Sequence, residues 1–218
     1  TLRKKGLATA QKRAERSTSE GMIAIYTAED KTSATMVEVT CETDFCSRND
    51  EFRSMVRDVL EMAEKSTDAG EVSGTEEMTA RVQDTLAKIG ENMSFSRGVK
   101  IKAPKVGTYV HHNQKVGVVV GVDQDVDDQV LSDLCMHIAF NNPMAITAED
   151  IPADVVEKEK QVLKAQAMES GKPEEIAEKM DTIRMKRFIA NKALMARHFV
   201  KDDKQTLGEG PAGVDVTR

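Results

Sequence analysis

One order of elements occurs twice along this chain, and it restricts the fold more than any other feature. Over residues 22–65, and again over 107–140, two extended stretches are followed by one helical stretch. In the first copy, "MIAIYTAEDKTSATMVEVT" has β-rich runs on both sides of a polar turn at 28–33. Val37, Glu38 and Val39 alternate there as in a strand with one wet face. Phe52, Met55, Val56, Val59, Leu60 and Ala63 then recur at helical spacing, behind a turn "SRNDEF" where Ser47 or Asn49 can cap. In the second copy, "GTYVHHNQKVGVVVGVD" reads as a hairpin turning at "HHNQ", and a helix over 127–139 closes before "NNP". The copies share little identity, so the repetition predicted is one of architecture. Hairpins grouped with their own helices favour α+β over a parallel α/β sheet.

Between the copies, 68–75 is glycine-bearing and polar and reads as a loop. A helix follows over 75–90, with Met78, Val82, Leu86 and Ile89 on one stripe and Gly90 as its stop. "MSFSRGVKIKA" is then extended. Beyond a connector at 143–154, two charged helices run over 154–169 and from 173 to about 195, parted by "SGKP", a Gly stop and a Pro suited to N1. Ile176, Met180, Ile183, Ala190 and Leu194 keep a 4-3 spacing that fits an antiparallel helical hairpin. Such a hairpin either lies on its own core or protrudes to pair with a second copy or a partner. The stretch "QTLGEGPAGVDVTR" after Lys204 is expected to be loose.

Composition narrows the function classes. Aromatics are 4% with no Trp, so the 12 Met and the Ala residues are expected to fill much of the core. The net charge of −6 argues against general nucleic-acid coating. Residues 1–16 hold six Lys/Arg against one Glu, a local +5, which leaves −11 for the remainder. That arm reads either as a contact for something acidic or as a solvated helix end. An RNA- or ribosome-associated module would need base-stacking aromatics, and the arm has none. No apolar run approaches the ~20 residues of a bilayer span, and the N-terminus lacks the apolar core of a signal peptide. "TLRKKG" reads as the end of a helix. Three irregularly spaced Cys make no disulfide framework, and a reducing, cytoplasmic setting is expected.

Little chemistry is written in the chain. Cys41, Cys46, Cys135 and His137 match no zinc spacing, so no metal is expected. A thiol nucleophile at Cys135 or Cys46 with His111, His112, His137 or His198 lacks an evident orienting group. "KIGEN" and "KVGVVVGV" are not phosphate loops, so no nucleotide cofactor is expected. One residue stands out. Phe45, in "EVTCETDFCSRND", sits at a polar strand–helix junction, where residue type alone favours a core plug.

"CETDF" after a β-hairpin resembles the signature of the elongation factor Ts family, guanine-nucleotide exchange factors for the GTPase elongation factor Tu. "LRKKGLATAQKRA" followed by "EG", "KIGENMSFSR", "GTYVHHNQKVGVVV", "HIAFNNPMAI", "VVEKEKQVLKAQAMESGKPEEIAEKM" and "FVKDDKQTL" agree in order and spacing, covering 2–207. The resemblance implies an exchange factor with no covalent chemistry. It implies five parts: the end of an N-terminal helical module and basic linker at 1–20, a core subdomain at 21–98, and a second at 99–153 with 196–207 returning to it. A coiled-coil arm at 154–195, which serves homodimerisation in some members, and a flexible tail at 208–218 complete the set. Carried over, Asp44 and Phe45 are the main contacts with elongation factor Tu, Thr43 shapes their turn, and Ile89, Gly90, His111 and Arg13 are further contacts. Asp44 is expected to cap the turn or bind the partner's backbone. Three departures are notable: Cys46 where Val is usual, Phe140 where a small residue is usual, and "ARHF" for "QPF".

Overall fold

The computed structural model describes residues 16–169, 174–199, 202–206 and 216–217. The chain forms two compact units, Thr1–Ala139 with Asp215–Arg218, and Phe140–Val214.

The first unit opens with the expected hairpin, β1 (Glu20–Thr27) and β2 (Ser33–Cys41), paired antiparallel. A five-residue helix α1 (Asp44–Arg48) leads into α2 (Asp50–Ser66). A two-stage junction replaces the simple turn expected there, because Thr43 caps a helical turn of its own before Asn49 caps the next. All six apolar residues that set the period of α2 are buried. A two-residue strand β3 (Gly70–Glu71) follows where a loop is expected. Both residues are exposed and carry no apolar alternation, so only their pairing to Val99 and Lys100 marks them as strand.

Helix α3 (Glu76–Ile89) is capped by Thr75, whose hydroxyl accepts from the Met78 N–H at 3.2 Å. It stops at Gly90, which takes φ 87°, a left-handed conformation that glycine adopts without a Cβ clash. Strand β4 (Met93–Lys102) returns beside β2, and the antiparallel sheet has the order β1-β2-β4-β3, with a bulge at Glu38/Val39. Val37, Val39 and Cys41 of β2 meet α2 and α3 in one apolar core in which Met22, Met55, Met78 and Met93 supply bulk in place of aromatics. Each fully buried side chain of this kind contributes about 1.5–3 kcal/mol. Gly21 fixes the start of β1. Its φ is +149°, and a Cβ there would lie 2.2 Å from the Val39 carbonyl oxygen.

The second sheet of this unit joins β5 (Lys105–Val110), β6 (Gly117–Val122) and β9 (Val216–Thr217), all antiparallel. Helix α4 (Asp128–Asn141) follows β6, giving strand, strand, helix a second time. Up to Ala139 this helix belongs to the first unit. A Cβ on Gly107 would lie 2.6 Å from Leu131 Cγ and 3.0 Å from Cys135 Sγ, so the glycine lets α4 approach β5. The sheets are stitched by Ile23 N–H to Gln114 O at 2.7 Å and by the Thr27 and Thr108 hydroxyls at 3.2 Å. Strand β9 lies in the stretch expected to be loose. Its glycine-rich approach carries no strand pattern, and pairing to Gly121 and Val122 organises it.

In the second unit, α5 (Ala153–Glu169) and α6 (Glu174–Lys192) pack on each other, with Arg184 Nη1 donating to Gln166 Oε1 at 3.3 Å. Pro173, the expected first helical residue, lies outside the described residues. Of the expected stripe, Met180 and Ala190 are half-buried, Leu194 is buried just beyond the helix end, and Ile183 departs from it at 62% exposed; Met185, Phe188 and Ile189 are half-buried as well. Ala145, Ile151 and Ala193 form a small core at the base. A ribbon of β7 (His198–Phe199) and β8 (Asp202–Thr206) takes in Gln205 and Thr206, which were expected to be loose. Among the described residues no helix is long and apolar enough to cross a membrane.

Candidate functional site

Phe45 stands at the tip of the β2–α2 junction, and capping chemistry explains why it points outward. Thr43 is extended (φ −127°, ψ 157°), and its Oγ1 accepts from the Cys46 N–H at 3.2 Å. Asn49 closes α1 through its N–H to Cys46 O at 3.0 Å and opens α2 by accepting from the Glu51 N–H at 2.8 Å. This pins Cys46 inward, where it is buried in the core with Cys41. Successive helical residues turn by about 100°, so the residue before Cys46 faces away from that core. Phe45 is accordingly 80% exposed and is not a core plug. Asp44 does not cap the turn; Thr43 does, and Asp44 pairs with Arg48 at 3.0 Å across one exposed helical turn. Such a pair contributes about 0.3–0.5 kcal/mol.

The turn is fastened to the end of α3. Glu91 accepts from the Thr43 N–H at 3.1 Å (Oε2) and from its hydroxyl at 2.9 Å (Oε1) and 3.0 Å (Oε2). Glu42 accepts from the Asn92 N–H at 2.6 Å, and Asn92 Nδ2 donates to Arg16 O at 2.7 Å. Thr43, Asp44, Phe45, Ile89 and Gly90 are thereby gathered from two remote segments. Glu42, Glu91 and Asn92 escape the sequence reading. The available signal was the polar "EN" directly after a helix stop, which must satisfy something other than its own helix.

His111 sits elsewhere in the same unit, at the β5–β6 turn. Its N–H donates to Val116 O at 2.9 Å, its Nδ1 meets the Tyr109 hydroxyl at 2.8 Å, and its ring lies 4.2 Å from that of His112. Gln114 O in that turn binds β1, which sets the turn against the first sheet. Arg13 lies outside the described residues. All three cysteines are buried and free. Contact with the Cys41 thiol, then burial, pushes the Cys46 thiol up. Burial pushes Cys135 up to about 12. No group of three or more His, Cys, Asp or Glu among the described residues is placed to hold a metal.

Comparison with known proteins defines the class. The family model described as Elongation factor TS matches residues 42–211. The chain is 41% identical to elongation factor Ts of Halorhodospira halophila, over all of this chain and 77% of that protein. Against elongation factor Ts of Alkalilimnicola ehrlichii the identity is also 41% with the same coverage, and against that of Aquifex aeolicus it is 36%, over all of this chain and 83% of the relative. These matches place the chain among the translation elongation factors. It belongs to the elongation factor Ts family.

Proposed function

We propose that this chain binds elongation factor Tu carrying GDP and speeds GDP release in the cytoplasm, without covalent chemistry of its own. Phe45 and Asp44 meet the partner beside its magnesium and phosphate site, with Ile89, Gly90, His111 and Arg13 as further contacts. The observation that carries this reading is the Phe45 ring, exposed on a turn whose backbone is capped and tied.

Magnesium demands near-octahedral geometry and bridges nucleotide phosphates, so a small displacement of its surroundings weakens the bound nucleotide. Packed interiors rearrange in discrete steps, and a ring inserted between two helices can supply such a step. Weakening GDP about a thousandfold takes roughly 4 kcal/mol of coupling. One fully buried Phe contributes about 1.5–3 kcal/mol, so dispersed contacts must add the rest. Coupling is reciprocal, and saturating GDP or GTP drives the exchange factor off its partner.

Stopped-flow release of fluorescent GDP from elongation factor Tu, with and without this protein, tests the proposal. Acceleration that saturates with protein concentration is expected, and an unchanged release rate refutes it.

A further inference from the structure

The turn bearing Phe45 and the helix stop at Gly90 are remote in sequence, and two carboxylates cross between them. Glu42, just before Thr43, takes the Asn92 N–H; Glu91, just before Asn92, takes the N–H and hydroxyl of Thr43. We propose that Glu91 is a positioning residue that holds the Phe45 turn rigidly on the α3 stop, so that both reach the partner as one surface. The inference rests on the exchange reading above and adds a residue to it.

Helix α1 has five residues, too few to persist unsupported, because forming a helical turn fixes several dihedrals for one hydrogen bond. The exposed Phe45 ring gives it little packing in return. What remains on its N-terminal side is the Thr43 cap. That cap works only if the threonine hydroxyl aims at the Cys46 N–H, and the hydroxyl has one proton to spend elsewhere. Glu91 takes that proton and the Thr43 amide together, which fixes both the backbone and χ1 of the capping residue. Bonds to a carboxylate are shorter and stronger than neutral ones, and Glu91 is half-buried, which limits screening. Orientation thus runs from Glu91 through Thr43 and the Cys46 amide to the direction of the Phe45 side chain. A wedge on a yielding turn would bend its own mounting before it moved the partner.

The test compares the full chain with Glu91→Ala, Glu91→Gln, Phe45→Ala and the double variant Glu91→Ala/Phe45→Ala. Three quantities are read: hydrogen exchange at the Thr43 and Cys46 amides, the urea midpoint, and fluorescent GDP release from elongation factor Tu. Glu91→Ala is expected to speed exchange at both amides about tenfold, to leave the α2 amides protected, and to cut stimulated release about tenfold. Glu91→Gln, which keeps one acceptor oxygen, recovers part of both losses. In the Phe45→Ala background, adding Glu91→Ala changes release less than twofold. An equal loss in both backgrounds overturns the proposal, since Glu91 would then act without Phe45. Unchanged amide exchange in Glu91→Ala overturns it as well. A wild-type protein without effect on release refutes the exchange reading itself, and the amide measurements still report separately whether Glu91 fastens the turn.

Discussion

Replacing Phe45 by alanine separates a wedge from a structural residue, because the ring is four-fifths exposed. A Phe side chain offers about 150–250 Å² to burial. The fifth already covered in the free protein is therefore about 40 Å², or at most about 1 kcal/mol of stability at 25 cal/mol per Å². The exposed share is what a partner can still cover. Four-fifths of the about 1.5–3 kcal/mol for full burial is about 1.2–2.4 kcal/mol, a loss of roughly eight- to sixtyfold in stimulated release. The assay pairs stopped-flow loss of fluorescent GDP with urea unfolding of the same samples. The reasoning fails if release is unaltered, or if the variant loses more than about 3 kcal/mol of stability, which would mean that the ring supports its own fold.

Two further outcomes follow from the interior. Lys100 is 9% exposed and donates to Glu64 O at 2.8 Å and Oε1 at 2.7 Å, while Thr35 also bonds Glu64. Lys100→Ala should cost about 3 kcal/mol in urea unfolding because it strands a half-buried carboxylate, whereas Lys65→Ala, which breaks an exposed pair with Glu61, should leave the urea midpoint nearly unmoved. Cys135 is raised by burial from 9.0 to about 12. Between those values the unfolded chain has lost the thiol proton and the native chain has kept it, so stability falls as pH rises. Relative to Cys135→Ala, the parent protein should lose up to about 1.4 kcal/mol per pH unit above pH 9, and parallel denaturation curves would contradict this.

Periodicity carried the long elements. The six residues of α2 and the four of the α3 stripe are the strong cases, since each side chain reports its own face by packing; Ile89 alone among them stays half-buried. Periodicity fails where pairing or capping decides. Strand β3 has no apolar residue, β9 follows a glycine-rich run, and α1 is too short to show a repeat. Ile183 shows a different limit, for in a charged helix a residue can keep the apolar spacing and still face solvent. The Phe45 turn was visible as a motif, and its outward direction followed only from the resemblance, because residue type alone favours a plug and the direction depends on Thr43 holding the cap. Phe140, which stands where the family usually has a small residue, is 84% exposed and so takes no room in the core.

Strand β9 gives the first unit a boundary in time as well as in space. Gly121 and Val122 find their outer neighbours only when Val216 and Thr217 have been made, after the whole intervening unit has passed. At about 5–20 residues per second on the ribosome, roughly ninety further residues mean about 5–20 s during which that rim has no partner. A nascent chain of this protein therefore carries an open sheet margin for as long as those residues take to be made.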